Sequence, residues 1–320
     1  GARGSSLAPV PVSTEQRFAS VSAGWSYACA LTTSGAPYCW GNAQPDDAGP
    51  VPGNPMERRV PVAIGDLTLS SLSAGFAHAC GVASAGAVYC WGENDDGQLG
   101  NGSKTASLTP VKAVTNVTFR SVSAGLDHSC ALATDGRAYC WGGGRSGQLG
   151  RGDSTSHEQP VAVAGALRFS TLSAGNLYTC GVTTAGAGYC WGRNEFGELG
   201  DGTTKSSLVP RAVSGGHQFR TISAKRGTGR SVTCGLTING TALCWGWESE
   251  ALGQQVIDDE TRPGAVVGGL SFGAISVGFS HVCGVVANGT IYCWGDGRYG
   301  QLGNGATEPH VTPGVVPIPR

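Results

Sequence analysis

The chain has 320 residues, with 21 Lys and Arg against 22 Asp and Glu, for a formal net charge of −1. That balance supplies no strong field for nucleic acid or an anionic membrane, and there is no run of about 18 apolar residues to cross a bilayer as a helix. Charged residues at 13% and 53 Gly describe apolar strands joined by tight turns, and 40% hydrophobic content with eight Trp is enough for a large core.

The opening stretch, Gly1 to Gln16, lacks the charged-then-apolar pattern of a secretory signal. The twelve cysteines, an even number at regular spacing, nevertheless indicate an oxidising compartment. The expected location is therefore secreted, periplasmic or cell-surface, with any signal peptide already removed.

From Val21 the sequence repeats. The first unit, 21–41, reads VSAGWSYACALTTSGAPYCWG, and near-copies occupy 72–92, 122–142, 172–192, 222–246 and 275–295, with starts 50 to 53 residues apart. In the third unit a Pro-Val strand, Pro110 to Val114, precedes a short strand from Phe119 to Ser123. A hairpin follows, with arms near Ser129–Leu132 and Arg137–Trp141 and its turn at Asp135-Gly136. The equivalent Asn239-Gly240 and Asn288-Gly289 are stronger turn signals, because a primed turn needs positive φ. Four short strands per unit, with no helical apolar period, predict an all-β fold of four-stranded antiparallel blades. One such sheet cannot hide two apolar faces, but radial stacking in a single β-propeller domain over 1–320 can. In the Tyr-Cys-Trp-Gly arm, Tyr and Trp share one face and Cys takes the other.

Each unit holds two cysteines ten positions apart: Cys29 and Cys39, Cys80 and Cys90, Cys130 and Cys140, Cys180 and Cys190, Cys234 and Cys244, Cys283 and Cys293. A turn centred midway sets each pair directly opposite across the hairpin, where Cα atoms lie about 4.5–5.5 Å apart. Disulfides form within that range. Six intra-blade disulfides are expected, each stabilising by about 2.5–3 kcal/mol in the chain-entropy model. No pair has the closer spacing of a zinc site or of a Cys-x-x-Cys redox site.

Ser123-Ala124-Gly125, His128, Leu132, Gly136, Trp141-Gly142 and Gly147-Gln148-Leu149-Gly150 resemble the repeat of the regulator of chromosome condensation family, and the resemblance extends from about Val21 to Gly305. It implies a propeller, usually of seven blades; the six cores here predict six. The Pro-Val stretches at Ala8–Val12 and at 311–319 are copies of one element, and one of them is expected to close the ring with strands from both chain ends. The family includes secreted bacterial inhibitors of β-lactamases that bind through end loops and their aromatics.

His78, His128 and His281 stand two residues before the first cysteine of their units, and Tyr27 and Tyr178 take that place elsewhere. On separate blades they do not converge on a metal, and a structural bond to nearby backbone is expected. Gly142 to Gly147 satisfies Gly-x-Gly-x-x-Gly, but it is one copy of an inter-blade connection with no helix after it. Arg151-Gly152-Asp153 aligns with Asn101-Gly102-Ser103 and Asp201-Gly202-Thr203, as turn variation does. Asn101, Asn116, Asn239 and Asn288 begin glycosylation triplets that matter only in a eukaryotic secretory host. Acidic residues on the connections, including Asp95, Asp96, Glu195 and Asp201, change identity between units and read as solvated loops. No catalytic motif is present, and no metal or cofactor is expected.

A repeat's scaffold recurs, so function is sought in what varies. The residues after Ser-Ala-Gly vary most: Trp25, Phe76, Leu126, Asn176 and Phe279, all on one end of the disc. Unit five replaces this loop with Lys225-Arg226-Gly227-Thr228-Gly229-Arg230, and units one and five carry atypical connections. Trp25, Phe76, Leu126, Lys225, Arg226, Arg230 and Phe279 are the candidate contacts for a protein partner; packing onto adjacent blades and a tolerated insertion are the alternatives. The predicted function is a secreted, non-enzymatic binding propeller, with hydrolase inhibition as one form of it. A structural subunit of an extracellular assembly is the alternative, and a lyase or hydrolase using the central channel is less favoured.

Overall fold

The computed structural model describes residues 6–41, 59–224, 231–247, 253 and 260–318. Lys225, Arg226 and Arg230 lie outside the described residues. Six sheets, each of four antiparallel strands, make a six-bladed propeller without an α-helix among the described residues.

Blade three shows how the sequence builds a unit. Phe119–Ala124 is its first strand and pairs with His128–Ala133, which pairs in turn with Ala138–Gly142. The turn glycine Gly136 has φ 85°, a left-handed conformation that glycine adopts without penalty. The register places Cys130 opposite Cys140, and all six cysteine pairs are disulfide-bonded across their hairpins with Cα atoms 4.0 to 4.1 Å apart. A bulge recurs in the first strand of every blade, as between Phe18 and Ser20 and between Phe272 and Ala274; bulges bend and twist a strand locally.

The Pro-Val strand belongs to the hairpin before it. Ser107–Lys112 pairs with Val88–Gly92 of blade two, because the Gly-rich connection folds back at the end of the disc where the third strand finishes. The same arrangement sets His310–Val315 beside Ile291–Gly295 of blade six. The stretch 311–319 thus contributes the ordinary fourth strand of that blade, described to 318, and blade six draws all four strands from one stretch of chain. The first strands of adjacent blades approach one another, so they line the centre, and the Pro-Val strands form the rim.

The core lies between blades. The cysteine face of blade two, with Cys80, Val82, Val88 and Cys90, packs against Phe119, Val122 and Trp141 of blade three. Cys130, Leu132 and Cys140 meet Phe169 and Trp191. Cys180 and Cys190 meet Phe219 and Trp245, and Cys234 and Cys244 meet Phe272 and Trp294. Blade one offers Cys29 and Cys39 to Leu69 and Trp91. Tyr139 and Trp141 do share the face opposite the cysteines, and they turn it toward the preceding blade. Each buried aromatic removes a large apolar area from water, and this sheet-to-sheet packing is what chiefly holds the blades together.

Candidate functional site

Polar groups at the blade boundaries explain the recurring histidines. His78 Nε2 is 2.8 Å from Ser129 Oγ in the next blade, and His128 Nε2 is 2.9 Å from Thr179 Oγ1. Those hydroxyls donate onward to the carbonyls of Gln98 and Gln148. Tyr27 donates its hydroxyl to the His78 carbonyl at 2.6 Å, and Tyr178 donates to that of Val232 at 3.0 Å. This position therefore binds one blade to the next. His281 holds the same place in blade six, where its ring lines a cavity. Burial keeps its pKa below the ordinary histidine value, against the opposing charge of Asp296.

The centre is likewise occupied by structural bonds. Ser22, Ser73, Ser123, Ser173 and Ser223 each accept a backbone N–H from the first strand of the following blade, at 2.9 to 3.0 Å. Asp127 shows how the end loops are fixed. Burial opposes its charge, but His128 and Gln148 outweigh burial and hold its carboxyl below the usual range. Among the described residues no group of three or more His, Cys, Asp or Glu could hold a metal ion. The Arg151-Gly152-Asp153 turn is closed on itself, with Arg151 and Asp153 paired at 3.0 Å.

One end of the disc gathers what varies between units. The loops between first and second strands lie there, and so do the starts of the long connections, as the bond from Gly143 N–H to the Asp127 carbonyl shows. Trp25 stacks on Phe76 with ring centroids 4.7 Å apart and planes at 16°. Trp25 remains 49% exposed and Phe279 42% exposed, so each keeps a substantial part of its surface open to solvent. Phe76 and Leu126 are half-buried, their amides bonded to the Gly125 and Gly175 carbonyls of the next blade. Asn176 is buried. The structure thus joins Trp25 to Phe76, sets Phe279 on the same end, and turns Leu126 partly inward. Trp25 and Phe279 stand on either side of a cavity of about 450 Å³ whose walls come from blades one, five and six.

The connections add aromatic residues that the unit-by-unit comparison passed over. Tyr299 is 79% exposed, the most exposed large hydrophobic side chain described. Phe196 packs on Trp247 at 5.6 Å, and the Arg193 guanidinium lies 5.7 Å over the Phe196 ring. Phe196 and Tyr299 hold one repeat position, just before Gly-Glu-Leu-Gly and Gly-Gln-Leu-Gly, where units two and three have Asp96 and Ser146. That contrast was the available signal.

A family model described as RCC1-like domain matches residues 55–320, and the regulator of chromosome condensation (RCC1) repeat matches residues 18–44. Among curated proteins, the human and mouse E3 ubiquitin-protein ligase HERC2 are 32% identical over 94 residues, which is 28% of this chain and 2% of theirs. The chain therefore spans a small fraction of the length of those relatives. Among solved structures, human WBSCR16 is similar with a TM-score of 0.85 at 21% identity, over 98% of this chain and 85% of that one. Yeast RCC1 (Prp20), solved with Kap60 bound, gives 0.80 at 19% identity over 94% and 75%. The ectodomain of the Physcomitrella patens receptor kinase CR4 gives 0.58 at 27% identity over 88% and 62%. At these identities the first two likenesses establish the fold.

Proposed function

The chain belongs to the RCC1-like domain family, and from that premise we propose that it is a binding propeller of an oxidising, extracellular compartment that takes a protein partner on the end bearing Trp25, Phe76 and Phe279. The observation that carries this reading is the segregation of variation. The centre and five blade boundaries are filled with recurring bonds, while among the described residues the exposed Trp25 and Phe279 and the half-buried Phe76 stand at one end. Clustered aromatics on a rigid scaffold are the usual anchors of protein interfaces.

The location rests on the cysteines, all of which are in disulfides. The yeast RCC1 (Prp20) structure, with Kap60 bound, supports a protein as partner, and the CR4 ectodomain supports an extracellular setting. The function is binding rather than catalysis: the serines of the centre are committed as acceptors, and the buried histidines His78 and His128 as links between blades. A secreted hydrolase is the partner class to screen first, given the resemblance to inhibitor propellers.

The test is capture of secreted proteins on the immobilised chain, with identification by mass spectrometry. A specific partner retained by the native chain and lost by the Trp25→Ala, Phe279→Ala double variant, at unchanged melting temperature, supports the reading. Retention by the double variant sinks it and favours a structural subunit that assembles through another surface.

A further inference from the structure

The end of the disc opposite Trp25 and Phe279 is built from the hairpin turns, and the inner strands begin there. Phe119, Phe169, Phe219 and Phe272 donate their N–H groups to the carbonyls of Gly86, Gly136, Gly186 and Gly240, the turn glycines of the preceding blades. Each turn also bonds back to the approach of its own blade: Thr134 N–H to the Thr118 carbonyl, Thr184 N–H to that of Arg168 and Ile238 N–H to that of Gln218. From blade three to blade six this turn end therefore consists of the strand approaches 115–120, 165–170, 215–220 and 268–273 with the turns 133–137, 183–187, 237–241 and 286–290. Those segments hold four arginines, Arg120, Arg137, Arg168 and Arg220, and one carboxylate, Asp135.

Two of these arginines are placed by the bulge. The register passes over Arg120, between Phe119 and Ser121, and over Arg220, between Phe219 and Thr221; a bulge re-aims its extra residue. In blades two and four that residue is Ser70 or Ser170, whose hydroxyl donates to the Val82 or Val182 carbonyl of its own blade at 3.1 Å. The arginines reach forward. Arg120 Nη2 donates to the Phe169 and Ser170 carbonyls of blade four at 3.0 and 3.1 Å. Arg220 donates from Nη2 to the Ile238 carbonyl at 3.1 Å and from Nη1 to that of Gly273 in blade six at 3.5 Å. Carbonyls thus hold both guanidinium forks in place without cancelling their charge. Arg168 lies over the turn of blade three, where a Cβ on Gly136 would stand 3.4 Å from its Cβ and Cδ, and its guanidinium donates to the Ala166 carbonyl at 3.3 Å.

Charge is balanced differently on the two ends. At the connections Arg145, Arg193 and Arg298 pair with Asp96, Glu198 and Asp296 at 3.1 to 3.6 Å. On the turn end Arg137 takes Asp135, Nε to Oδ2 at 2.6 Å. The Asp135 carboxyl is held below the usual range by the Arg137 backbone N–H and, beyond it, by the charges of Arg137 and Arg168. Among the described residues Arg120, Arg168 and Arg220 pair with no carboxylate. Three uncancelled guanidinium groups therefore follow one another over three consecutive blades, on a chain whose formal net charge is −1.

We propose that the turn end binds an acidic polysaccharide, a chain of sugars bearing carboxylate or sulfate groups, laid across Arg120, Arg168 and Arg220. A planar guanidinium fork takes two oxygens of such a group at once, and cations repeated from blade to blade suit a polymer that repeats its charge. The hydroxyls of Thr118, Thr134 and Thr184 are exposed among the forks and can both donate to and accept from sugar hydroxyls. The same segments lack the anchors that other polymers use. Phe119, Phe169, Phe219 and Phe272 are buried and His217 is half-buried, so no exposed ring is there to stack the bases of a single strand. Ile238 is the one large apolar side chain exposed in them, too little for the apolar centre of a protein interface or for burial in a membrane surface. A disc held by this end keeps Trp25 and Phe279 open on the other.

Heparin and polygalacturonate, one sulfated and one carboxylated, are the probes, each titrated onto the full chain at about 0.15 M salt, where long-range attraction is screened. Saturable binding of at least one is expected, weakening steeply as salt rises. The triple variant Arg120→Gln, Arg168→Gln, Arg220→Gln should lose about 10-fold or more in affinity, as for three exposed ion pairs. The corresponding triple Lys variant, which keeps the charge and loses the fork, should lose less. Arg120 and Arg220 also tie blades together, so Thr184→Glu supplies a variant that adds a repelling charge at an exposed side chain. It should weaken binding by about 3-fold or more at unchanged melting temperature. Trp25→Ala with Phe279→Ala should bind the polysaccharide as the native chain does, which keeps this outcome separate from that of the protein partner. No binding of either probe would overturn the proposal, and so would affinity unchanged in both the Gln triple variant and Thr184→Glu. Loss of binding in the Trp25, Phe279 double variant would place the site on the other end and overturn it equally. Tighter binding of polyglutamate, single-stranded DNA or phosphatidylglycerol vesicles would overturn it by assigning the turn end to a protein, a nucleic acid or a membrane.

Discussion

Trp141 of blade three is tied to Gln98 of blade two, its indole N–H donating to the Gln98 carbonyl at 2.8 Å. Trp191 and Trp245 repeat the bond to Gln148 and Glu198, both at 2.9 Å. The scaffold tryptophan thus fills the boundary and satisfies a buried carbonyl there. Trp141→Phe should keep most of the packing and cost about 1–2 kcal/mol for the lost bond. Trp141→Ala should cost about 3–5 kcal/mol. Chemical denaturation of the two variants checks the order; a Trp141→Phe variant as stable as the native chain would show that the bond contributes nothing.

The glycine that faces this ring is fixed by it. Gly100 has φ +71°, and a Cβ there would stand 2.7 Å from the Trp141 indole nitrogen. Gly100→Ala combines a strained backbone with a clash and should destabilise by at least about 1–3 kcal/mol. Gly165→Ala, also at positive φ but with open space around its Cβ, isolates the backbone part. The difference between the two in a thermal melt measures the clash.

Removing one disulfide by Cys130→Ser with Cys140→Ser should cost about 2.5–3 kcal/mol if the constraint on the unfolded chain dominates. Native protein should give no labelling by a thiol reagent before reductant, since every cysteine is paired. Labelling of the folded, unreduced chain would contradict the staples.

His281 makes stability depend on pH. Its folded pKa lies below its unfolded value of 6.5, because burial disfavours the charged ring while Asp296 acts in the opposite direction. The unfolded chain therefore binds the proton more readily, and the contribution of neutral His281 is complete above pH 6.5 and is lost as pH falls below it. Denaturant midpoints measured from pH 8 down to pH 5 should decline more steeply for the native chain than for His281→Gln. Superimposable curves would remove His281 as the source.

Trp25→Ala should leave stability within about 1 kcal/mol, because the side chain is held mainly by its stack on Phe76. A fall in melting temperature as large as that of Trp141→Ala would show that Trp25 is part of the scaffold and not of a binding surface.

The repeat and its staples were readable because they depend on local spacing. Ten residues around a Gly turn can place two cysteines only across a hairpin, so Cys29 to Cys293 paired as the sequence indicated. The partnership of each Pro-Val strand was not readable in this way. Ser107–Lys112 lies about equally near two hairpins in sequence, and only the backward fold of the connection assigns it to blade two. The bonding partners of His78 and His128 were also hidden, because Ser129 and Thr179 lie a full unit away. Their signal was a hydroxyl just before Cys130, Cys180 and Cys234, where Cys29 and Cys80 follow alanine and Cys283 follows valine. Of the candidate contacts, exposure separates Trp25 and Phe279 from Leu126, a distinction that depends on the shape of each loop rather than on residue type.

The boundary between consecutive blades has a direction: at all five, the disulfide-bearing side receives a phenylalanine or leucine and a tryptophan from the unit that follows. Each fifty-residue unit is therefore built like a brick with a tongue on one side and a groove on the other. Duplicating or deleting a whole unit leaves every surviving joint of the same kind. Growth by copying thus requires no new joint chemistry, only a change in how sharply the wall curves.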